Sequence, residues 1–134
     1  NPTGTVVSRE AFLRFMARLP DEVVVVVDEA YIEFARSVDC LKTGRQSDLR
    51  RPLVTLRTFS KAYGLAGLRV GYGIMPSSLA ELLNRVRPHF NVNSMAQAAA
   101  VAAIDDQAIL QKTVGLVNRG LLELYDALER VGLT

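Results

Sequence analysis

The chain has 134 residues, of which 49% are apolar and 22% charged, with a net charge of +2. This is the profile of one soluble globular domain. The basic residues are scattered, which argues against a nucleic-acid partner, and the longest apolar run, around residues 98–104, is too short to span a bilayer. The single cysteine, Cys40, cannot form an internal disulfide, which fits a reducing cytoplasm.

The first half of the chain carries signals for one helix and two strands. Ser8 is placed to cap a helix that Pro20 ends. The predicted apolar face of this helix consists of Phe12, Phe15, Met16 and Leu19. The valine run at residues 23–27 is typical of a strand buried on both faces, and residues 53–56 predict a second strand. Residues 36–52 show no clear pattern and predict a loop.

The second half begins with a Gly- and Ala-rich stretch at residues 62–69, which we expect to be irregular, followed by a third strand at 70–75. Three helices are then predicted, at residues 77–86, 94–105 and 107–131. Asn93 or Ser94 can cap the second of these, and its small alanine side chains allow close packing. Strands interspersed with helices are an α/β pattern.

Two features indicate that the chain is part of a longer protein. It opens with "NPTG", a turn sequence, and a turn normally joins two elements. Three strands also make a thin sheet for a parallel fold whose faces are covered by helices.

Chemically useful side chains follow the predicted strands, where open α/β sheets bind ligands. Asp28 ends the valine run, and a buried carboxylate there is costly unless a cation meets it. Lys61, one of only three lysines, lies just past the second strand, and unlike arginine it can condense with a carbonyl. Taken singly, Asp28 could cap a turn, Lys61 could be a solvated loop residue and Arg69 a surface charge.

Taken together, these residues match one cofactor, pyridoxal phosphate. Its aldehyde needs a lysine to form a Schiff base, and its ring nitrogen needs a carboxylate to stay protonated. Its phosphate needs an arginine fork and hydroxyl donors, which Arg69 and Ser60 can supply. The set thus predicts an enzyme that uses an amine nucleophile and needs no metal.

The segments "NPTG", "DEAYIEF" and "TFSKAYGLAGLRVGYG" resemble the fold-type I, class I/II aminotransferases. Including "RPHFNVNSMAQAAA", the closest likeness is to the histidinol-phosphate enzymes. The resemblance covers the whole chain and implies that residues 1–134 are part of the cofactor-binding large domain, a mostly parallel sheet flanked by helices. The small substrate-gripping domain would be absent. A cytoplasmic homodimeric transaminase of histidine biosynthesis is implied, acting on a small-molecule amino donor and a keto acid acceptor.

The family's roles transfer to matching positions at the ring end of the cofactor. The resemblance implies that Asn1 and Tyr31 contact the phenolic oxygen and that Asp28 pairs with the ring nitrogen. Lys61 would form the Schiff base and shuttle protons, and desolvation with cationic neighbours would favour its neutral amine.

At the phosphate end, the resemblance implies that Ser60 and Arg69 bind the phosphate, with Thr58 as a further candidate. The family also uses a glycine-rich turn, an aromatic residue over the ring and an arginine for the substrate carboxylate. The matching motifs contain none of these, so we expect the chain alone to be inactive.

Several alternatives stay open at this point. Within the family, aromatic amino-acid aminotransferases and a phosphothreonine decarboxylase are close relatives. Glu29 after Asp28 resembles the end of an ATPase strand, but the glycine-rich phosphate loop that such enzymes require is missing. A non-catalytic binding module is a distant alternative. Such a module would have no reason to keep Asn1, Asp28, Tyr31, Lys61 and Arg69 together. His89 is interpreted as a loop residue, and Asn91 as a helix-capping candidate.

Overall fold

The computed structural model describes residues 4–35, 43 and 52–133. They form two compact units: the residues up to Thr58 with Gly71–Asn91, and Phe59–Val70 with the residues from Val92 onwards. The first unit contains helices α1 (Arg9–Arg18) and α2 (Ser77–Val86) and strands β1 (Val25–Asp28), β2 (Leu53–Thr58) and β3 (Gly71–Ile74). The second contains helices α3 (Ser94–Asp105) and α4 (Gln107–Arg130). The predicted α/β class is confirmed.

The sheet of the first unit has the order β1-β2-β3. Strands β1 and β2 are parallel, with Asp28 opposite Leu56, so both point their carboxyl ends to the same edge. Strand β3 is antiparallel to β2, and Gly71 pairs with Thr58. The chain therefore returns beside the end of β2 at which it left, whereas a parallel partner would require a crossover to the opposite end.

Gly71 allows β3 to lie close against β2. A Cβ atom at this position would come within 2.7 Å of the Arg57 carbonyl oxygen and 3.5 Å of the Thr58 Cα. Both atoms belong to the backbone and cannot rotate away, so a side chain would push the two strands apart. The glycine is thus required where the chain re-enters the sheet.

Helix α1 packs on this sheet through one narrow face. Ser8 caps it as predicted, since its Oγ accepts a hydrogen bond from the Ala11 amide at 3.2 Å. Phe12 and Met16 are buried and form a core with Val25 and Leu53. Phe15, also predicted for this face, lines a cavity with Phe12 and Val25 but stays 53% exposed.

The predicted burial of the valine strand on both faces is also wrong for the described part of the chain. Val25 is 9% exposed, whereas Val24 and Val26 are 45% and 56% exposed. This alternation belongs to a half-buried strand, because side chains on a strand point to opposite faces in turn. Helix α1 covers the face of Val25, whereas Val26 points to the opposite face of the strand and stays exposed.

The second unit has its own core around helix α3. Asn93 caps this helix by accepting a hydrogen bond from the Ala96 amide at 2.8 Å. Ala96 and Ala100 are buried and pack with Phe59 and Val70. They lie one turn apart on the helix, and their small side chains let the segment around Phe59 approach closely, as the alanine-rich composition predicted.

Helix α4 is capped by Asp106, which accepts a hydrogen bond from the Ile109 amide at 3.0 Å. The apolar side chains of α4 are only partly covered: Val117 and Leu124 remain 43% and 52% exposed. Among the helices within residues 4–35 and 52–133, none is both long and apolar enough to cross a membrane.

Candidate functional site

Asp28 presents an exposed carboxylate at the carboxyl end of β1. Its Oδ1 accepts a hydrogen bond from the Ala30 amide at 2.9 Å, which fixes the side chain in a local turn. Oδ2 receives no hydrogen bond from the residues that the structure describes. The predicted location at the strand end is confirmed, but the expected burial is not found.

The buried carboxylate of this strand end is that of the next residue, Glu29, which is 5% exposed. Its Oε2 accepts two hydrogen bonds from Arg57, from Nε at 3.0 Å and Nη2 at 2.8 Å. Its Oε1 accepts bonds from the Thr43 hydroxyl at 2.8 Å and from the Thr43 amide. The Thr43 hydroxyl also lies 2.5 Å from that of Thr55. The burial cost of Glu29 is thereby offset by the ion pair with Arg57 and by hydrogen bonds to both carboxylate oxygens.

Sequence reasoning missed this ion pair, although the strand register contains a signal for it. Asp28 lies opposite Leu56, so the residues that follow, Glu29 and Arg57, are neighbours of opposite charge. Glu29 is therefore accounted for by the structure of the strand end, and the ATPase alternative loses the residue that suggested it.

Burial and pairing shift two pKa values at this strand end. Burial lowers the pKa of Arg57, but hydrogen bonds to Glu29 and Tyr72 outweigh it, so the net pKa lies above the ordinary value. Burial raises the pKa of Glu33; its backbone hydrogen bond and the charge of Arg57 oppose this shift, and the charge of Glu29 adds to it. The strand end therefore favours a permanently charged arginine beside several carboxylates.

Tyr31 and Thr58, two further predicted cofactor ligands, lie in the same unit. Tyr31 is 41% exposed and precedes a 3₁₀ turn at Ile32–Phe34. Thr58 is the last residue of β2 and pairs with Gly71. Asn1 lies outside the described residues. The roles given to these three residues remain predictions.

Lys61 belongs to the second unit, in a tight loop of residues 59–65. The loop is closed by hydrogen bonds from the Gly64 amide to the Lys61 carbonyl at 3.0 Å and from the Leu65 amide to the Phe59 carbonyl at 2.9 Å. Gly64 has a φ of +72°, which favours glycine. Phe59 and Ala62 are 2% and 1% exposed, so the exposed Lys61 lies between two buried anchors.

The predicted desolvation of Lys61 is not found, since its side chain is exposed among the described residues. The loop instead holds the lysine by its backbone. Phe59 packs against α3 and also contacts Tyr63, with ring centroids 5.0 Å apart. The arrangement presents an amine on a rigid base, which suits a nucleophile that must meet a carbonyl in a defined orientation.

Arg69 and Ser60, the two predicted phosphate ligands, contact each other in the same unit. Arg69 Nη1 donates to the Ser60 hydroxyl at 3.3 Å and to the Ala66 carbonyl at 2.7 Å. Arg69 adopts the left-handed conformation, with φ 53° and ψ 48°, which costs about 1 kcal/mol for a non-glycine residue. Nε and Nη2 have no hydrogen-bond partner in the described ranges, so they can bind an oxyanion as a fork.

Asp28 of the first unit and Lys61, Ser60 and Arg69 of the second match the parts of pyridoxal phosphate in chemical type. Asp28 offers a carboxylate oxygen for a protonated ring nitrogen, and Lys61 offers an exposed amine for the aldehyde. Arg69 and Ser60 offer a guanidinium and a hydroxyl for the phosphate. The described residues contain no cluster of three or more side chains suited to a metal ion.

Comparison with known proteins gives one consistent result. Residues 1–134 match the family described as aminotransferase class I and II. Histidinol-phosphate aminotransferase 2 of Carboxydothermus hydrogenoformans is 51% identical over 135 residues, which cover 100% of this chain and 37% of that protein. Histidinol-phosphate aminotransferase of Halalkalibacterium halodurans is 47% identical over 133 residues, covering 99% of this chain and 36% of that protein.

A solved structure agrees. The crystal structure of histidinol-phosphate aminotransferase from Sinorhizobium meliloti in complex with pyridoxal-5'-phosphate superposes with a TM-score of 0.75 at 34% identity. The match covers 98% of this chain and 34% of that one. The chain thus spans little more than a third of the length of the proteins it matches.

Proposed function

Because the chain belongs to the aminotransferase class I and II family, we propose that it is part of the cofactor-binding large domain of a pyridoxal-phosphate-dependent transaminase. The observation that carries this proposal is the contact of Arg69 with Ser60 in the unit that holds Lys61 on its closed loop. A guanidinium, a hydroxyl and an amine so arranged suit an aldehyde that carries a phosphate. When bound, pyridoxal phosphate supplies that aldehyde and an electron-withdrawing ring.

Asp28 acts on the ring nitrogen in this proposal. Its carboxylate keeps that nitrogen protonated, which increases the electron-withdrawing power of the ring. The hydrogen bond from the Ala30 amide to Oδ1 supports this role, because it orients the carboxylate and leaves Oδ2 for the cofactor. Tyr31 and Asn1 are the proposed donors to the phenolic oxygen.

Lys61 has two proposed tasks. Its Nζ would be the amine that condenses with the aldehyde of bound pyridoxal phosphate, with release of water, and it would accept and return a proton at the reacting carbon of the substrate. Both tasks require an amine that stays in one place, and the buried neighbours Phe59 and Ala62 support this.

Arg69 and Ser60 hold the phosphate, with Thr58 as a third proposed ligand. Arginine suits this position better than lysine, because its planar fork can bind two phosphate oxygens while it keeps its contact with Ala66. Anchoring the phosphate fixes the ring relative to Lys61, which is a positioning contribution to catalysis.

The proposed reaction is amino transfer between histidinol phosphate and 2-oxoglutarate, in a cytoplasmic homodimer. This choice of substrate rests on the relatives, which carry the name histidinol-phosphate aminotransferase at 51% and 47% identity. An aromatic amino-acid aminotransferase would use the same cofactor residues and differ in substrate contacts.

The test is a transamination assay of the full-length protein that contains this chain. Amino transfer to 2-oxoglutarate is compared for histidinol phosphate and phenylalanine, and we expect histidinol phosphate to be strongly preferred. Asp28→Asn should lower kcat by about a hundredfold or more, since each tenfold corresponds to about 1.4 kcal/mol in barrier. Asp126→Asn, at an exposed position of α4, is the matched control. Equal turnover of both variants, or a preference for phenylalanine, would contradict the role or the substrate.

A further inference from the structure

Glu29 is a buried carboxylate that the proposed reaction does not use. It follows Asp28 directly, yet it is 5% exposed whereas Asp28 is exposed. Consecutive residues of an extended chain point to opposite sides. Because Glu29 points into the interior, Asp28 points outward. A ligand that binds beyond the strand end could therefore reach the Asp28 carboxylate.

A chain of hydrogen bonds leads from Glu29 to the Asp28 carboxylate. The Glu29 amide donates to the Leu56 carbonyl at 2.9 Å, and the Glu29 carbonyl accepts from the Ile32 amide at 3.1 Å. That carbonyl shares a rigid peptide plane with the Ala30 amide, which donates to Asp28 Oδ1 at 2.9 Å. Contacts that fix the position of Glu29 therefore also fix the Ala30 amide, which is the donor that orients Asp28.

Arg57 and Thr43 are what hold Glu29. Arg57 binds Oε2 through two nitrogens, and Thr43 binds Oε1 through its hydroxyl and amide. Arg57 also pairs its positive charge with the buried Glu29 carboxylate, with 2.8 Å between Nη2 and Oε2.

We propose that Glu29 and Arg57 form a positioning pair for Asp28, which aims the Asp28 carboxylate through the Ala30 amide. The inference rests on the proposed function, in which Asp28 meets the ring nitrogen of pyridoxal phosphate. Neither Glu29 nor Arg57 contacts the cofactor in this account. Their effect on cofactor binding passes through Asp28.

The first arm of the test uses the full-length protein without cofactor. Hydrogen–deuterium exchange is followed over residues 24–35 in wild type, Glu29→Gln and the control Glu10→Gln, which alters an exposed ion pair with Arg14. Glu29→Gln should speed exchange there by about tenfold, the factor for losing one charge-assisted hydrogen bond. The control should match wild type. Unchanged exchange in Glu29→Gln would overturn the inference.

The second arm measures pyridoxal phosphate affinity by equilibrium dialysis and the absorption spectrum of the bound cofactor across pH. We expect Glu29→Gln to weaken binding by about tenfold, by the same reasoning, and to alter the pH dependence of the spectrum. Arg57→Lys should retain part of the affinity, because it keeps the charge but not the fork. Faster exchange with unchanged affinity and spectrum would show a structural role only and overturn the inference.

A milder variant covers the case in which Glu29→Gln does not fold. Thr43→Val removes one donor to Glu29 and keeps the ion pair and the side-chain shape, so it should show the same two effects at smaller size. Folded Thr43→Val protein with wild-type exchange and affinity would overturn the inference. A wild-type protein that binds no pyridoxal phosphate would refute the proposed function itself, and with it the claimed effect on the cofactor, whatever the exchange arm shows.

Discussion

Arg69 and Ser60 are nine residues apart in the chain, and a hydrogen bond of 3.3 Å joins their side chains. The left-handed backbone at Arg69 turns its guanidinium back to Ser60 and to the Ala66 carbonyl. The contact closes the segment that follows Lys61. Among the described residues, the other guanidinium nitrogens meet no hydrogen-bond acceptor, so they suit an anion such as a phosphate.

Arg69→Lys should weaken pyridoxal phosphate binding to the full-length protein. A lysine ammonium cannot keep the Ala66 contact and offer a fork to the phosphate at once, so we expect a loss of about tenfold or more in affinity. Fluorescence titration with pyridoxal phosphate measures the change. Arg130→Lys, at the exposed end of α4, makes the same substitution away from the site. Equal affinities for the two variants would exclude Arg69 as a phosphate ligand.

Gly71→Ala should destabilise the fold. The added Cβ would lie 2.7 Å from the Arg57 carbonyl oxygen, and relieving that contact requires β2 and β3 to separate. We expect a loss of about 1 to 3 kcal/mol in the free energy of unfolding, as for other overpacked sites. Denaturant titration gives the value. Gly120→Ala, where the new Cβ meets nothing within 4 Å, should instead add up to about 1 kcal/mol through helix propensity. If Gly71→Ala proves as stable as wild type, the close strand contact is not a constraint.

Local elements were predictable from the sequence because their determinants are local. Helix α2 was predicted at residues 77–86 and lies at Ser77–Val86. The capping roles of Ser8 and Asn93 follow from side chains that reach amides three residues ahead. The proposed role of Lys61 follows from its rarity and from its place beside Ser60 and before Arg69, and it stays a prediction.

Relations between distant segments were not predictable in the same way. The antiparallel direction of β3 depends on the path of the chain between Thr58 and Gly71. Glu29 is buried, and Asp28, whose burial the sequence predicted, is exposed. This difference depends on Arg57, which lies on the neighbouring strand and pairs with Glu29. The valine run alone predicted burial of Asp28. The pattern of one strand contains no information on which of the two carboxylates will pair with an arginine of the neighbouring strand.

Glu33→Gln should change stability in a pH-dependent manner. Burial raises the pKa of Glu33 in the folded state, so the folded protein binds that proton more tightly than the unfolded chain. This tighter proton binding by Glu33 stabilises the folded state at low pH. The stabilisation is lost as the pH rises through the raised pKa. Glutamine stays neutral, so the variant should match wild type below about pH 4 and be more stable above about pH 6.

Unfolding of the full-length protein by denaturant at both pH values measures the Glu33 effect. Glu81→Gln on α2 is the control for loss of one negative charge at an exposed position. A Glu33→Gln protein that is less stable than wild type at neutral pH would show that pairing with Arg57 outweighs burial.

Residues 1–134 expressed alone should self-associate and show no transaminase activity. Exposed apolar side chains remain on both units, including Val26 at 56% and Leu116 at 63%, and such surfaces favour association. Sedimentation velocity follows the association. Val26→Thr should reduce it, since threonine keeps the branched shape that suits a strand. A monodisperse chain with robust amino transfer from glutamate to imidazole-acetol phosphate would contradict this expectation.

Covalent trapping of the cofactor tests the central claim, that Lys61 bonds to pyridoxal phosphate, most directly. The full-length protein is loaded with pyridoxal phosphate, reduced with borohydride, digested and mapped by mass spectrometry. The account predicts a pyridoxyl group on Lys61, and its loss in Lys61→Arg, which keeps the charge but cannot form the bond. A label on Lys42 or Lys112, the other two lysines of the chain, with Lys61 unmodified would contradict it.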